Sequence, residues 1–377
     1  MPQKKVLILV SKDWYFLSHR LPLALGLVKD GYKVHVACHI NQAKTELENH
    51  GFILHDLNLG REQISLQSTQ SAIQNITKLY RDVKPDIVVH VALFTVLLGT
   101  IAALRAPVGT VINMITGMGY SFIAKNLKAR LIRFMISIFM RLFSQTKRIH
   151  MIVQNGNDIE LMQSFGFKTE KNLFLIRGSG VDAKYFSPSP ELPQNGLITF
   201  VGRTLWSKGV SEIVEAARIL KNKGKSYRIV LVGAPDPGNP QSATQHDIDI
   251  WQSDGLVECW GRRSDIANIY QQSSIALLPS WREGLPKSLL EAAACGLPMI
   301  ATDVPGCREI VHHEKNGLLV PLKNPTALAD AIENLMEHYD IRKQYGAYAR
   351  KQIDTELNDK AIIEQTVSLI NKLSAFE

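Results

Sequence analysis

The chain has 377 residues, 45% hydrophobic and 21% charged, with a formal net charge of +8. That length exceeds one ordinary core and predicts two domains of roughly 150–200 residues each. The composition excludes a disordered chain, a collagen-like fibre and a disulfide scaffold. The four cysteines (Cys38, Cys259, Cys295 and Cys307) form no C-x-x-C pair and read as reduced thiols in a reducing compartment. All excess positive charge lies in the first half: residues 1–186 hold 23 Lys and Arg against 12 Asp and Glu, whereas residues 187–377 hold 20 against 23. An anionic partner is therefore expected at the first half. Nucleic acid is one such partner, but no zinc finger, RNP-like aromatic motif or basic repeat occurs, and an anionic membrane surface or a phosphorylated acceptor fits at least as well.

In chain order, Val6–Val10 is a run of only five apolar residues, too short for a signal-peptide core, and a cytoplasmic protein is the expectation. Strands are predicted at Val6–Val10, Lys33–Cys38, Ile53–Leu57, Ile87–Val91, Val108–Asn113, His150–Val153 and Leu173–Ile176, with helical periodicity between most of them. The longest apolar run, Ile87–Leu104, has 18 residues; it sits at the lower limit for a membrane span and reads better as a buried strand feeding a buried helix. Ser187-Pro-Ser-Pro-Glu-Leu-Pro193 cannot hold a ladder and reads as a linker over 187–196. It separates a first domain, 1–186, from a second, 197–355, followed by a C-terminal helical segment, 356–377. Strands resume at Leu197–Val201, Arg228–Val232, Val257–Trp260, Ile275–Leu278, Met299–Ala301 and Leu318–Val320. Continuous apolar strands alternating with helices predict two α/β, doubly wound, Rossmann-like domains with parallel sheets, facing a central cleft.

Neither G-x-G-x-x-G after the first strand nor a Walker loop occurs, which argues against a dehydrogenase or an ATPase. The most informative segment is Pro279-Ser-Trp-Arg-Glu-Gly-Leu-Pro-Lys-Ser-Leu-Leu-Glu291. It leaves a strand and enters a helix near Pro286, with proline suited to the first turn. The N–H groups of Leu285, Lys287 and Ser288 there form a natural anion site. Glu283 before the helix and Glu291 within it suit hydroxyl groups on either side of a diphosphate; the plainer reading makes Glu283 a cap and pairs Glu291 with a surface cation. Arg203 and Lys208 in Gly202-Arg-Thr-Leu-Trp-Ser-Lys208 leave another strand end together and can clamp a diphosphate, although surface cations are common.

With these residues in view, the sequence resembles the family-4 retaining glycosyltransferases of the GT-B fold. Its E-G-x-P-x-x-x-x-E element stands here as Glu283-Gly284-Leu285-Pro286 through Glu291, preceded by Arg203 and Lys208. Arg177-Gly-Ser-Gly-Val-Asp182 resembles the family's domain-junction turn, Glu258-Cys-Trp-Gly261-Arg262 the loop over the nucleotide base, and a final helix near Lys360–Leu373 the one that crosses back to the first domain. The resemblance implies a UDP-sugar donor, no metal or other cofactor, and retention by same-face attack. It assigns charge neutralisation to Arg203 and Lys208, donor-sugar hydroxyls to Glu283 and ribose hydroxyls to Glu291. Gly202, Gly261, Arg262, Gly284, Leu285, Pro286 and Ser288 complete the implied donor site. The first domain departs from the family: Asn113-Met-Ile-Thr-Gly-Met-Gly-Tyr120 lacks the His many relatives carry, and Lys12-Asp13-Trp14 replaces a Gly-Gly loop. That turn and Trp14-Tyr-Phe-Leu-Ser-His-Arg20 resemble the bacterial subgroup acting on polyprenyl-diphosphate-linked amino sugars with UDP-N-acetylhexosamines. His19, Arg20, Asn113, Thr116 and Gly117 are the implied acceptor residues; a packed His at a helix start is the simpler reading of His19.

No Asp or Glu occurs between Ile87 and Asn157, while eight Lys and Arg do, seven of them in Lys125–Arg148. On a helix Arg130, Ser137, Arg141, Ser144 and Arg148 form one face with Arg133 at its edge, and Leu127, Leu131, Phe134, Met135, Ile138 and Leu142 another. Such a helix suits an anionic membrane, placing the protein at the inner face of the cell membrane; an ordinary helix packed on the sheet is the alternative. The expected activity is transfer of an N-acetylhexosamine to a lipid-diphosphate-linked sugar. The rivals are a soluble transferase for a small sugar or phosphosugar, a sugar-nucleotide epimerase, and a non-catalytic binding subunit.

Overall fold

The structure, a computed structural model, describes residues 3–41, 43–57, 66–117, 127–194, 196–236 and 238–375. It divides into two compact units, Met1–Ser179 with Ile362–Glu377, and Gly180–Ala361.

The first unit carries seven parallel strands: β1 (Lys5–Lys12), β2 (Lys33–His39), β3 (Ile53–Asp56), β4 (Ile87–Val91), β5 (Thr110–Met114), β6 (Ile149–Val153) and β7 (Leu173–Leu175). Their order is β3-β2-β1-β4-β5-β6-β7. Apolar runs buried on both faces explain this sheet. Along β1, Leu7 and Leu9 enter one core with Val88, Val111 and Met151, while Val6, Ile8 and Val10 enter another with Val89, Ile112 and Ile152. The run Ile87–Leu104 resolves into β4 and the buried helix Leu93–Ala103, and among the described residues no helix is long and apolar enough to cross a membrane.

The second unit carries six parallel strands, β8 (Leu197–Val201), β9 (Ile229–Val232), β10 (Glu258–Gly261), β11 (Ser273–Leu278), β12 (Met299–Thr302) and β13 (Gly317–Val320), in the order β10-β9-β8-β11-β12-β13. All thirteen expected strands are present.

The unit boundaries differ from the expected linker. The chain changes unit at Ser179/Gly180, and the segment 187–196 belongs to the second unit. Arg350 donates to the carbonyls of Ala183, Phe186 and Ala294. Arg342 donates to Gln194 O at 2.9 Å and Ser274 Oγ to Pro193 O at 2.6 Å. A Pro/Ser stretch cannot extend a sheet, but its carbonyls still accept from Arg342 and Ser274. The helix Asp359–Ser374 returns Ile362, Val367, Ile370 and Leu373 to the first unit's core, where Tyr32 Oη donates to Asn371 Oδ1 at 2.5 Å.

Candidate active site

In the second sheet the strand order reverses between β8 and β11, and ligands of open α/β sheets bind beyond the carboxyl ends of strands at such a point. The two turns that emerge there carry the expected residues. β8 runs into Gly202 and Arg203 and then the short turn Trp206–Lys208; β11 runs into Pro279 and the loop to Glu283. Gly209 joins them. It has φ +80°, and a Cβ on it would lie 2.1 Å from Pro279 O, so only glycine lets the first turn lie against the second.

That contact brings Lys208 and Glu283 together. Lys208 Nζ donates to Glu283 Oε1 at 2.5 Å, with side chains 26% and 10% exposed. A charge-assisted bond at this depth is stronger than a surface pair. Trp281 holds the arrangement: its N–H donates to Ser207 O at 2.9 Å, its Nε1 donates to the buried Glu212 Oε1 at 2.9 Å, and Lys323 Nζ sits 3.8 Å over its ring. Gly306 backs the loop from the other side, where a Cβ would meet Gly284 O at 2.4 Å.

The helix after the loop spans Lys287–Ala294 with Pro286 as its N-cap, one residue outside the first-turn position expected. Leu289 and Leu290 N–H donate to Pro286 O at 3.2 and 3.3 Å. Tyr270 Oη donates to Ser288 O at 2.9 Å, while Leu285 packs on the core. Glu291 lies on this helix, with its side chain 13% exposed and 3.7 Å from Lys287 Nζ. Burial raises its carboxyl to about 7 against the pull of Lys287. The cation pairing that the sequence left open for Glu291 is therefore present.

Arg203 is paired with a different residue. Its Nη1 donates to Asp236 Oδ2 at 2.7 Å on an exposed surface. Asp236 follows β9 beside β8 and holds the guanidinium, so Arg203 can reach a diphosphate only by leaving this surface pair. Gly202 and Gly261 flank Gly233 at the neighbouring strand ends, with Gly202 N–H donating to Val232 O at 2.9 Å and Gly233 N–H to Gly261 O at 2.8 Å. Arg262 is exposed just beyond.

In the first unit the implied acceptor residues differ in burial and partners. His19 is half-buried, stacked on Tyr15 at 4.4 Å with Nδ1 2.6 Å from Ser18 Oγ. Arg20 is 4% exposed, and burial lowers the pKa of its guanidinium. Its Nε has no hydrogen-bond partner. It lines a cavity of about 10 Å³ with Gln154 and Thr366, room for one water and too small for a phosphate. Asn113 corrects the expectation outright. It pairs with His90 across β4 and β5, and its Oδ1 lies 2.8 Å from His90 Nδ1 and accepts from Thr100 Oγ1 at 3.0 Å. It shares a face with the core residues Val111 and Ile115, so it is buried in a polar network with no surface to offer. Thr116 and Gly117 follow β5, and Met118–Tyr120 lie outside the described residues.

The basic segment is also rearranged. Lys125 lies outside the described residues; the helix spans Leu127–Ser144. Arg148 donates to Val108 O at 2.5 Å and Ala103 O at 3.0 Å, and buried Ser144 donates to Phe165 O at 2.9 Å. These two leave the expected polar face and bind backbone carbonyls of the first unit instead.

Sequence reasoning missed Asp236, Trp281, Glu212 and Lys323. Trp281 lay inside the motif, and Glu212 stands four residues after Lys208; nothing marked Asp236 or Lys323. Among the described residues no group of three or more His, Cys, Asp or Glu is placed to hold a metal.

Residues 5–154 match the family model described as "Glycosyl transferase 4-like", and residues 181–352 the one described as "Glycosyl transferases group 1". The chain is 30% identical over 303 residues, 77% of each protein, to the N,N'-diacetylbacillosaminyl-diphospho-undecaprenol alpha-1,3-N-acetylgalactosaminyltransferase of Campylobacter jejuni. This chain belongs to the group 1 glycosyltransferases. Its fold is GT-B, matching sucrose-phosphate synthase of Thermosynechococcus elongatus over all of both chains at TM-score 0.81 and 19% identity. Anabaena HepE, solved with UDP and glucose, matches at TM-score 0.77 and 18% identity over 98% of this glycosyltransferase and 100% of that chain.

Proposed function

We propose that this glycosyltransferase moves an N-acetylhexosamine from a UDP-sugar to a polyprenyl-diphosphate-linked sugar, with retention and without a metal, at the inner face of a bacterial cell membrane. The observation that carries the reading is the Lys208–Glu283 pair at the strand-order reversal, with Glu291 on the helix that follows. The Campylobacter relative, named for a lipid-linked amino-sugar acceptor, supports the acceptor class, and HepE with UDP supports the nucleotide.

In this reading the bond between the sugar's anomeric carbon and the UDP oxygen breaks as the acceptor hydroxyl attacks the same face. The hydroxyl proton passes to the departing phosphate oxygen. Lys208 and the amino end of the helix Lys287–Ala294 neutralise charge that grows on the diphosphate. Arg203 contributes once it exchanges Asp236 for phosphate. Glu283, held by Lys208, accepts from donor-sugar hydroxyls, and Glu291 from the ribose. The first unit supplies acceptor contacts through His19, Thr116 and Gly117, and its helix Leu127–Ser144 meets the membrane.

The test is a panel of UDP-sugars incubated with a bacterial lipid extract, with the lipids read by mass spectrometry. A single N-acetylhexosamine added to a polyprenyl-diphosphate sugar supports the reading. Transfer confined to free sugars or phosphosugars rejects it.

A further inference from the structure

The helix Leu127–Ser144 turns an apolar side to solvent. Its inward face is Ala129, Ile136, Met140 and Phe143, all buried. Leu127, Leu131, Phe134, Met135, Ile138 and Leu142 are exposed by 79, 60, 61, 50, 41 and 61%. At helical pitch these six fall in one stripe about 100° wide, opposite the buried face. Exposed Arg130 and Arg141 run along one edge of that stripe. A monomeric protein rarely leaves so many large apolar side chains contiguous and uncovered.

We propose that this stripe inserts into the headgroup–acyl boundary of an anionic bilayer, so that the protein docks by apolar insertion with the arginines as a rim. The proposal rests on the membrane-acceptor reading above and sharpens the amphipathic-helix docking that the sequence predicts, giving the apolar face the main part. Charge decides the occupant. The stretch from Ile87 to Asn157 contains eight cations and no acid. A second copy facing itself through this stripe would set Arg130 and Arg141 against the same unpaired charges, whereas anionic headgroups complement them. Leucine and phenylalanine on one side with arginine at the margin is the composition of helices that lie in the interface plane.

The experiment is co-sedimentation of the full chain with phosphatidylcholine vesicles, with and without phosphatidylglycerol, at roughly 0.1 and 1 M salt, where the screening length falls from about 10 to 3 Å. Two variants are compared, Leu131→Ser/Phe134→Ser/Leu142→Ser and Arg130→Ser/Arg141→Ser; all five side chains are exposed, and an unchanged thermal melt confirms folding. Insertion predicts that the apolar triple variant loses on the order of 100-fold in partition at both salts. The arginine variant should lose on the order of 30-fold, and only at low salt on anionic vesicles. Binding abolished by 1 M salt and indifferent to the apolar triple variant overturns insertion while leaving membrane docking in place. A parent protein that sediments with no vesicle overturns both. A parent dimer by light scattering that the apolar triple variant makes monomeric assigns the stripe to a second copy and overturns the proposal.

Discussion

Lys208 Nζ and Glu283 Oε1 lie 2.5 Å apart although their residues belong to turns after different strands. The pair forms because Gly209 has no side chain to hold the turns apart and because Trp281 ties them. Each partner sets the other: the ammonium fixes the carboxylate, and the carboxylate keeps the ammonium at the strand end. Lys208→Ala should therefore lower kcat by roughly 10²–10³, as for loss of one preorganised donor to a developing oxyanion. Steady-state transfer kinetics check this, and an unchanged kcat removes Lys208 from the mechanism.

Trp281 acts on that pair from behind. Trp281→Phe keeps the ring under Lys323 but leaves Glu212 Oε1 without its indole donor. Loss of that partner should cost about 1–3 kcal/mol of stability, read in denaturant unfolding. It should also lower kcat more than it raises KM. A variant as stable and as active as the parent would show that the pair needs no such anchor.

Asp236 holds Arg203 on an exposed surface, where such pairs are worth about 0–1 kcal/mol. Asp236→Ala should leave stability nearly unchanged and tighten donor binding, because the guanidinium no longer has to leave a carboxylate. Titration calorimetry with UDP decides the point; affinity that is unchanged in Asp236→Ala and in Arg203→Ala would exclude Arg203 from the donor site.

Glu291 makes a pH prediction with a definite sign. Its carboxyl is raised from 4.5 to about 7 in the folded protein, so the folded state holds the proton more tightly than the unfolded one. The stability this contributes is fully present below about 4.5 and is lost as pH rises through about 7, on the order of 3 kcal/mol in total. Glu291→Gln should flatten that slope in unfolding measured at several pH values. UDP affinity should move the opposite way, rising through pH 7 as the carboxylate forms, and a flat affinity profile would free Glu291 from ribose binding.

In the proposed mechanism Lys208 and the helix end supply the counter-charge, so activity should survive EDTA. Turnover lost with EDTA and restored by manganese or magnesium would refute the metal-free proposal.

The sheets were legible because their strands are unbroken apolar runs, and Glu283, Pro286 and Glu291 because one short motif carries them. What the sequence hid depends on packing between distant segments. Asp236 reaches Arg203 only because β9 lies beside β8. The segment 187–196 looked free because composition does not reveal that Arg342 and Ser274 hold it. Asn113 misled although the alternation Val111, Asn113, Ile115 already set it on a core face. On the helix Leu127–Ser144 the pattern has apolar residues on two sides, and the sequence alone did not say which side the sheet would cover.

The most direct test of the central claim is transfer from a UDP-N-acetylhexosamine to a purified polyprenyl-diphosphate-linked amino sugar, compared with the same sugar as its free phosphate, for the parent and for Lys208→Ala. The account predicts lipid-linked product from the parent, little from the free phosphate, and a loss of roughly 10²–10³ in the variant. Equal transfer to both acceptors, or lipid product formed undiminished by Lys208→Ala, would contradict it.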